Sequence, residues 1–396
     1  MKSVFRPFAT CAVLLFSPLL VAQPAAVREP FQTPPAIELP PPAPTDGPVI
    51  KLALLLDTSN SMDGLIHQAR TRLWQVVNEL GQAHVAGETP QLQVALFHYG
   101  NNTLEATDHW VQLRNPFTTD LDVVSEQLFG LSTSGGSEYC GAVIRESVQR
   151  LDWGHVSEAP VLRLIVIAGN EPFNQGPTPF AESIATARGL EVKVNTIYCG
   201  PSEEGRRTLW AEGAKLGHGH YAAIDQDVVA PEIETPFDDA LRRLNDALNA
   251  TYLGYGKGGA VYAERQRAQD SANFAASASA GLSRTAVKAS ASYETSHWDL
   301  VSAVEEGTVE LAAVPPPALP EPLQGKSLEE QEAHLAELAE QRRTTTEEIQ
   351  ALAAKRARFL AAAREATPAA SASLEDALLE ALRAQAEALG FAFGSR

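Results

Sequence analysis

Basic residues are in short supply along this chain of 396 residues, 31 against 49 acidic ones, for a formal charge of -18. A surface of that sign repels nucleic acid and anionic lipid, so DNA, RNA and acidic membranes are not expected as partners. Long apolar runs are missing as well. The longest, from Pro7 to Val21, is interrupted by Pro18 and falls short of the roughly 20 residues a bilayer span requires. Catalytic signatures are absent too. Ser59, Ser61, Ser134 and Ser137 stand in no G-x-S-x-G elbow, no G-x-x-x-x-G-K-[ST] phosphate loop occurs, and no nucleophile and base are paired by spacing. An enzyme is therefore not expected. His218 and His220 lack a neighbouring Cys or His pair that would complete a zinc site. What remains is ordinary globular texture, 44% apolar and 20% charged, in a length that predicts two or three units.

Lys2 and Arg6 ahead of the apolar run, with small residues from Ala22 to Ala26, have the form of a secretory signal peptide over residues 1–22. Export to the periplasm or the medium is the implied localisation. Proline recurs from Pro24 to Pro48, which removes backbone donors and predicts an extended linker over 23–48.

From Val49 onward, short apolar runs alternate with helix-period segments. The runs are Ile50–Leu56, Leu92–Tyr99, Val111–Leu113, Val161–Ala168, Val192–Tyr198 and Tyr221–Ile224, with helical segments such as Leu65–Leu80 and Tyr139–Leu151 between them. Strands apolar on both faces and separated by helices predict a doubly wound, mostly parallel open α/β sheet over 49–228. Trp74, Trp153 and Trp210 lie in or beside the helical segments and are expected in the core. Phe237–Leu253 is expected to close this domain as a helix.

Beyond Pro236 the composition turns to Ala, Glu, Gln, Arg and Leu, and an α-helical C-terminal region follows. It divides into a helical extension at 229–314, a proline-rich linker at 315–326, and a long helix with a C-terminal helix at 327–396. Ser327 with Glu330 forms a capping box, Thr367–Ser373 reads as a hinge, and Ala275–Ala291 suits either a helix or a connector. The long helix has heptad spacing, but Gln331, Arg342, Thr345 and Arg356 occupy seam positions. A coiled coil competes there with an amphipathic helix packed on its neighbours, and the second fits the polar seam better.

The first apolar run ends in Asp57-Thr58-Ser59-Asn60-Ser61, at the carboxyl end of a strand, where open α/β sheets bind ligands. In a tight loop, alternate side chains converge, and one carboxylate with two hydroxyls suits a hard cation. With this string the chain resembles a von Willebrand factor type A domain over residues 49–228. The resemblance implies a metal-ion-dependent adhesion site holding Mg²⁺, with Mn²⁺ or Ca²⁺ as substitutes. It implies Asp57, Ser59 and Ser61 as ligands, joined by Ser137 of Gly135-Gly136-Ser137. The family's fourth strand ordinarily ends in an Asp, where this chain has Gly169; Glu171 or Asn170 is then a replacement ligand, or the site is a relic. Asp57-Thr58-Ser59-Asn60-Ser61-Met62-Asp63-Gly64-Leu65, Gly135–Gly141, Ala168–Phe173 and Trp298–Val301 are similar to bacterial secreted type A proteins of unknown function.

Cys140 opens a helix and Cys199 ends a strand at the same sheet edge, so a disulfide between them is expected in an exported chain. Two functions are consistent with these features. One is an exported, metal-dependent interaction module whose ion attracts a carboxylate from a partner protein. The other is an envelope scaffold that assembles as a homo-oligomer through the helices of 328–390, its metal site vestigial.

Overall fold

The computed structural model describes residues 1, 42, 45–154, 159–225, 227, 232–365 and 374–393. The expected leader beyond Met1, most of the 23–48 linker and the expected hinge at Thr367–Ser373 lie outside the described residues. In chain order the first elements are β1 (Val49–Asp57), α1 (Asp63–Leu80), β2 (Ala83–His84), β3 (Gln91–Tyr99), β4 (Val111–Thr118), α2 (Leu121–Phe129) and α3 (Cys140–Arg150). They are followed by β5 (Val161–Gly169), α4 (Phe180–Gly189), β6 (Lys193–Cys199), α5 (Ser202–Arg207), α6 (Trp210–Leu216) and β7 (His218–Ile224). The remainder is α7 (Asp238–Asn249), α8 (Gly259–Ala276), α9 (Ala278–Lys288), α10 (Leu300–Glu305), α11 (Leu328–Glu365), α12 (Leu374–Glu387) and the short β8 (Ala392–Phe393).

Six strands form one sheet in the order β4-β3-β1-β5-β6-β7, all parallel except β4, which runs antiparallel to β3. The doubly wound, mostly parallel architecture is the one the apolar runs predict. The two edge strands are longer than their apolar runs: β4 extends to Thr118 and β7 begins at His218. An edge strand pairs on one side only and tolerates polar residues, so hydrophobicity marks only part of it.

The strand period of two sorts the core into two layers. Ile50, Leu52, Leu54 and Leu56 of β1 face α1, α2 and α12, while Ala53 and Leu55 face α3, α4 and α6. Trp74, Trp153 and Trp210 are buried, as their positions beside apolar periodicity predict.

The closure of the first layer differs from expectation. α7 forms, but its Leu241 and Leu248 pack with Leu282 of α9 and Ile349 of α11, away from the sheet. The slot over β5, β6 and β7 is filled instead by α12, through Leu378, Leu379, Leu382 and Ala386. Asn195 on β6 is matched to this helix. It is buried on this face, and its side-chain amide is paired by Gln385 of α12.

The rest of the helical region folds back on the same body. Ser327 and Glu330 make the expected capping box, with Ser327 N–H donating to Glu330 Oε2 at 2.8 Å. Ala275–Ala291 is helical on either side of Ser277, whose hydroxyl caps α9 by accepting from Ala280 N–H at 3.2 Å. The polar seam positions of α11 are the ones that anchor it. Arg342 donates to Asp299 Oδ2 at 2.6 Å and to the Thr251 carbonyl at 2.6 Å, Arg356 donates to Asp238 Oδ1 at 3.0 Å, and Gln331 donates to the Leu323 carbonyl at 3.1 Å. Leu335, Leu338 and Ile349 are buried beside them. Between Gln331 and Arg356 this seam is occupied within the chain, with Leu328 and Phe359 exposed at its ends, so the packed amphipathic helix accounts for it better than a coiled coil.

Candidate functional site

Three loops meet at the carboxyl ends of β1, β3 and β5. The first leaves β1 at Asp57, whose side chain is fully buried. Ser59 N–H donates to Asp57 Oδ1 at 2.8 Å, a local turn that points the carboxylate along the loop. Asp57 Oδ2 is buried with no hydrogen-bond partner. Burial pushes the Asp57 carboxyl up to about 8; repulsion from Glu138 and Glu171 adds to this and hydrogen bonds from Ser59 oppose it. Ser59 is buried and Ser61 exposed, with their hydroxyl oxygens 3.5 Å apart.

The second loop carries Gly135, Gly136, Ser137 and Glu138. Ser134 N–H donates to the Thr58 carbonyl at 3.0 Å, and Asn102 N–H donates to the Gly135 carbonyl at 2.9 Å. A Cβ on Gly136 would lie 2.1 Å from the Gly100 carbonyl oxygen, so only glycine lets this loop settle on the end of β3. Ser137 is thereby carried beside the first loop, half-buried. Its neighbour Glu138 is brought closer than sequence reasoning recognised. Burial pushes the Glu138 carboxyl up to about 7, with Glu171 adding repulsion and the Ser59 hydroxyl opposing as a hydrogen-bond donor.

The third loop begins at Gly169. A Cβ there would stand 2.7 Å from Tyr99 Oη and 3.0 Å from Asp57 Oδ2, so the tyrosine hydroxyl fills the space a side chain at 169 would take. Tyr99 Oη donates to the Ala168 carbonyl at 3.2 Å. Asn170 Nδ2 donates to Ser61 Oγ at 3.0 Å, while its Oδ1 is buried without a partner. Glu171 is held through its carbonyl, which accepts from Trp210 Nε1 at 2.8 Å, and its carboxyl is near enough to repel Asp57 and Glu138.

The residues expected as ligands, Asp57, Ser59, Ser61, Ser137 and Glu171, thus belong to loops that converge. Among the described residues no group of three or more His, Cys, Asp or Glu side chains has the spacing of a metal site. An ion here would rely on hydroxyl and amide oxygens beside carboxylates, a donor set suited to a hard divalent cation. Two buried oxygens without donors, Asp57 Oδ2 and Asn170 Oδ1, fit that use. Sequence reasoning missed Glu138 and Tyr99. The signal for Glu138 was its position directly after Ser137; Tyr99 had none, because it ends an apolar run like any core aromatic.

The expected Cys140–Cys199 disulfide is a correction. Both are free, buried thiols. Cys140 belongs to the layer under α3, whereas Cys199 faces the opposite layer with Ile197 and Ile224, so the sheet separates them. Burial pushes both thiols well above the ordinary range.

No family model and no curated protein matches the sequence. The architecture is the one the type A resemblance implies. The strand order and the Asp57 loop carry that likeness. Similar solved structures include the SpRpn10 VWA domain, at 16% identity, TM-score 0.32, covering 46% of this chain and 100% of that one. The conserved hypothetical protein BatB from Bacteroides thetaiotaomicron is 17% identical at TM-score 0.33, covering 44% of this chain and 90% of that one. Proximal thread matrix protein 1 from the mussel byssus is 10% identical at TM-score 0.32, over 45% of this chain; this chain spans 41% of that protein. No helix among the described residues is long and apolar enough to cross a membrane.

Proposed function

We propose that this protein is an exported interaction module whose type A domain binds a partner protein through a divalent cation, Mg²⁺ in the first instance. Asp57, Ser59, Ser61 and Ser137 would hold the ion, with Glu171 at its rim. The supporting observation is Asp57 Oδ2, a carboxylate oxygen buried without a donor at the mouth of three converging loops. A buried carboxylate in that state is costly unless it is protonated or meets a cation. Bound there, the ion would supply a Lewis-acidic position open to an oxygen of the partner. The chain's own part is to orient that position: Ser59 N–H fixes one carboxylate oxygen, and Asn170 fixes the Ser61 hydroxyl.

The scaffold alternative has less support, because the buried faces of α11 and α12 are taken up within the chain. Export rests on the leader. Calorimetric titration of the purified chain with Mg²⁺ tests the cation reading. Saturable binding that Asp57→Ala abolishes is the expected result, and no saturable binding in the unmodified chain would sink it. Mass spectrometry of the exported protein, expected to begin near residue 23, tests the leader.

A further inference from the structure

Gly169 leaves the site one carboxylate short of the family pattern, and the loops supply another from a different place. A Cβ built on Gly100 would lie 2.8 Å from Asp57 Oδ1 and 2.8 Å from Glu138 Cγ, so the Asp57 carboxylate and the Glu138 side chain both close on Gly100. Gly100 has φ +75° and accepts no side chain there without strain. Glu138 is itself held in place, since its N–H donates to Gln175 Oε1 at 2.8 Å and the residue is 7% exposed. The place where a fourth-strand carboxylate would enter is closed by Tyr99 Oη, 2.7 Å from a Cβ on Gly169.

The geometry points to Glu138 as the second carboxylate ligand of the cation, entering from the Ser137 loop in place of the missing residue at 169. This inference rests on the cation reading proposed above. Asp57 and Glu138 together balance the charge of a divalent ion within the chain. The ion then binds without a partner's carboxylate, and the position left open accepts a neutral oxygen.

Mn²⁺ titration followed by the electron paramagnetic resonance of the free ion tests this, at neutral pH in a buffer free of carboxylates and phosphate. The unmodified chain, Asp57→Ala and Glu138→Gln are compared, each first checked for a cooperative thermal transition without metal. Saturable binding by the unmodified chain, weakened at least tenfold by Glu138→Gln, is expected. Glu138→Ala replaces the glutamine variant if that one does not fold. Affinity unchanged in a folded Glu138 variant, with binding lost in Asp57→Ala, overturns the assignment of Glu138 and leaves the cation reading standing. Absence of saturable binding in the unmodified chain overturns both.

Discussion

Asn195 on β6 and Gln385 on α12 pair their side-chain amides reciprocally, Gln385 Nε2 donating at 2.5 Å and Asn195 Nδ2 at 3.3 Å, although 190 residues separate them. Asn195 Oδ1 also accepts from His220 N–H at 2.8 Å, so the group sits at the junction of two strands and the last helix. Gln385→Leu keeps the volume and removes the pairing, leaving the buried Asn195 amide short of a partner. A loss of about 1–3 kcal/mol in urea unfolding is expected. Loss of a kilocalorie or more would tie the seating of α12 to this pair; an unchanged midpoint would mean that Leu378, Leu379 and Leu382 seat it alone.

Gly169 and Tyr99 are complementary in the same sense. Gly169→Ala places a methyl group 2.7 Å from Tyr99 Oη and 3.1 Å from Asp57 Cβ in a buried position. Overpacking of this kind costs about 1–3 kcal/mol. Tyr99→Phe removes the hydroxyl that the methyl meets, so the double variant should recover part of the loss in a double-mutant cycle. Additive losses would mean that Asp57, not Tyr99, limits position 169.

The thiols offer a chemical count. Cys140 and Cys199 lie on opposite layers and are buried with raised pKa values, so neither presents a thiolate to solvent. Alkylation of the folded, unreduced protein should leave both unmodified, and unfolding without reductant should make both reactive. A pair that stays resistant after unfolding would show a disulfide and refute this placement.

These cases mark what the sequence makes legible. The strands beginning at Val49, Gln91 and Val161 are covered on both faces, and continuous apolar runs announce them whatever covers each face. Which helix covers a face is a different matter. Leu378, Leu379 and Leu382 state that α12 has an apolar stripe, not that the stripe belongs on a sheet built more than 150 residues earlier. Nearness to one sheet edge does not pair the cysteines, because the strand's period of two decides which face each takes. Val194 and Tyr198 of β6 face one layer and Ile197 and Cys199 the other, and α3 lies on the first. At the site, the Asp57 loop is legible because its ligand types alternate within five residues. Glu138 is less so: its place after Ser137 is visible, but its approach to Asp57 depends on how Gly136 settles on Gly100, a tertiary contact.

His98 supplies a pH dependence whose sign can be worked out. It is buried on β3 and hydrogen-bonded to Thr58 Oγ1 at 3.0 Å and to Gln112 Oε1 at 2.8 Å. Burial lowers its pKa from 6.5 to about 4; the Gln112 hydrogen bond resists this and the Arg114 guanidinium adds to it. The unfolded chain therefore binds a proton near pH 6.5 that the folded chain takes up only near pH 4. His98 stability is fully present above pH 6.5 and falls as the pH drops through that window, reaching its lower limit below about 4. At 1.36 kcal/mol per pH unit, the loss amounts to at most about 3 kcal/mol. Carboxyls titrate over the same range, so the measurement is the difference between the unmodified chain and His98→Gln, in urea unfolding at several pH values from 7 to 4. The chain should lose ground to the variant steadily as acid is added. A difference that stays flat would mean that His98 titrates alike in the folded and unfolded chains, so that burial does not hold the ring beside Thr58 neutral.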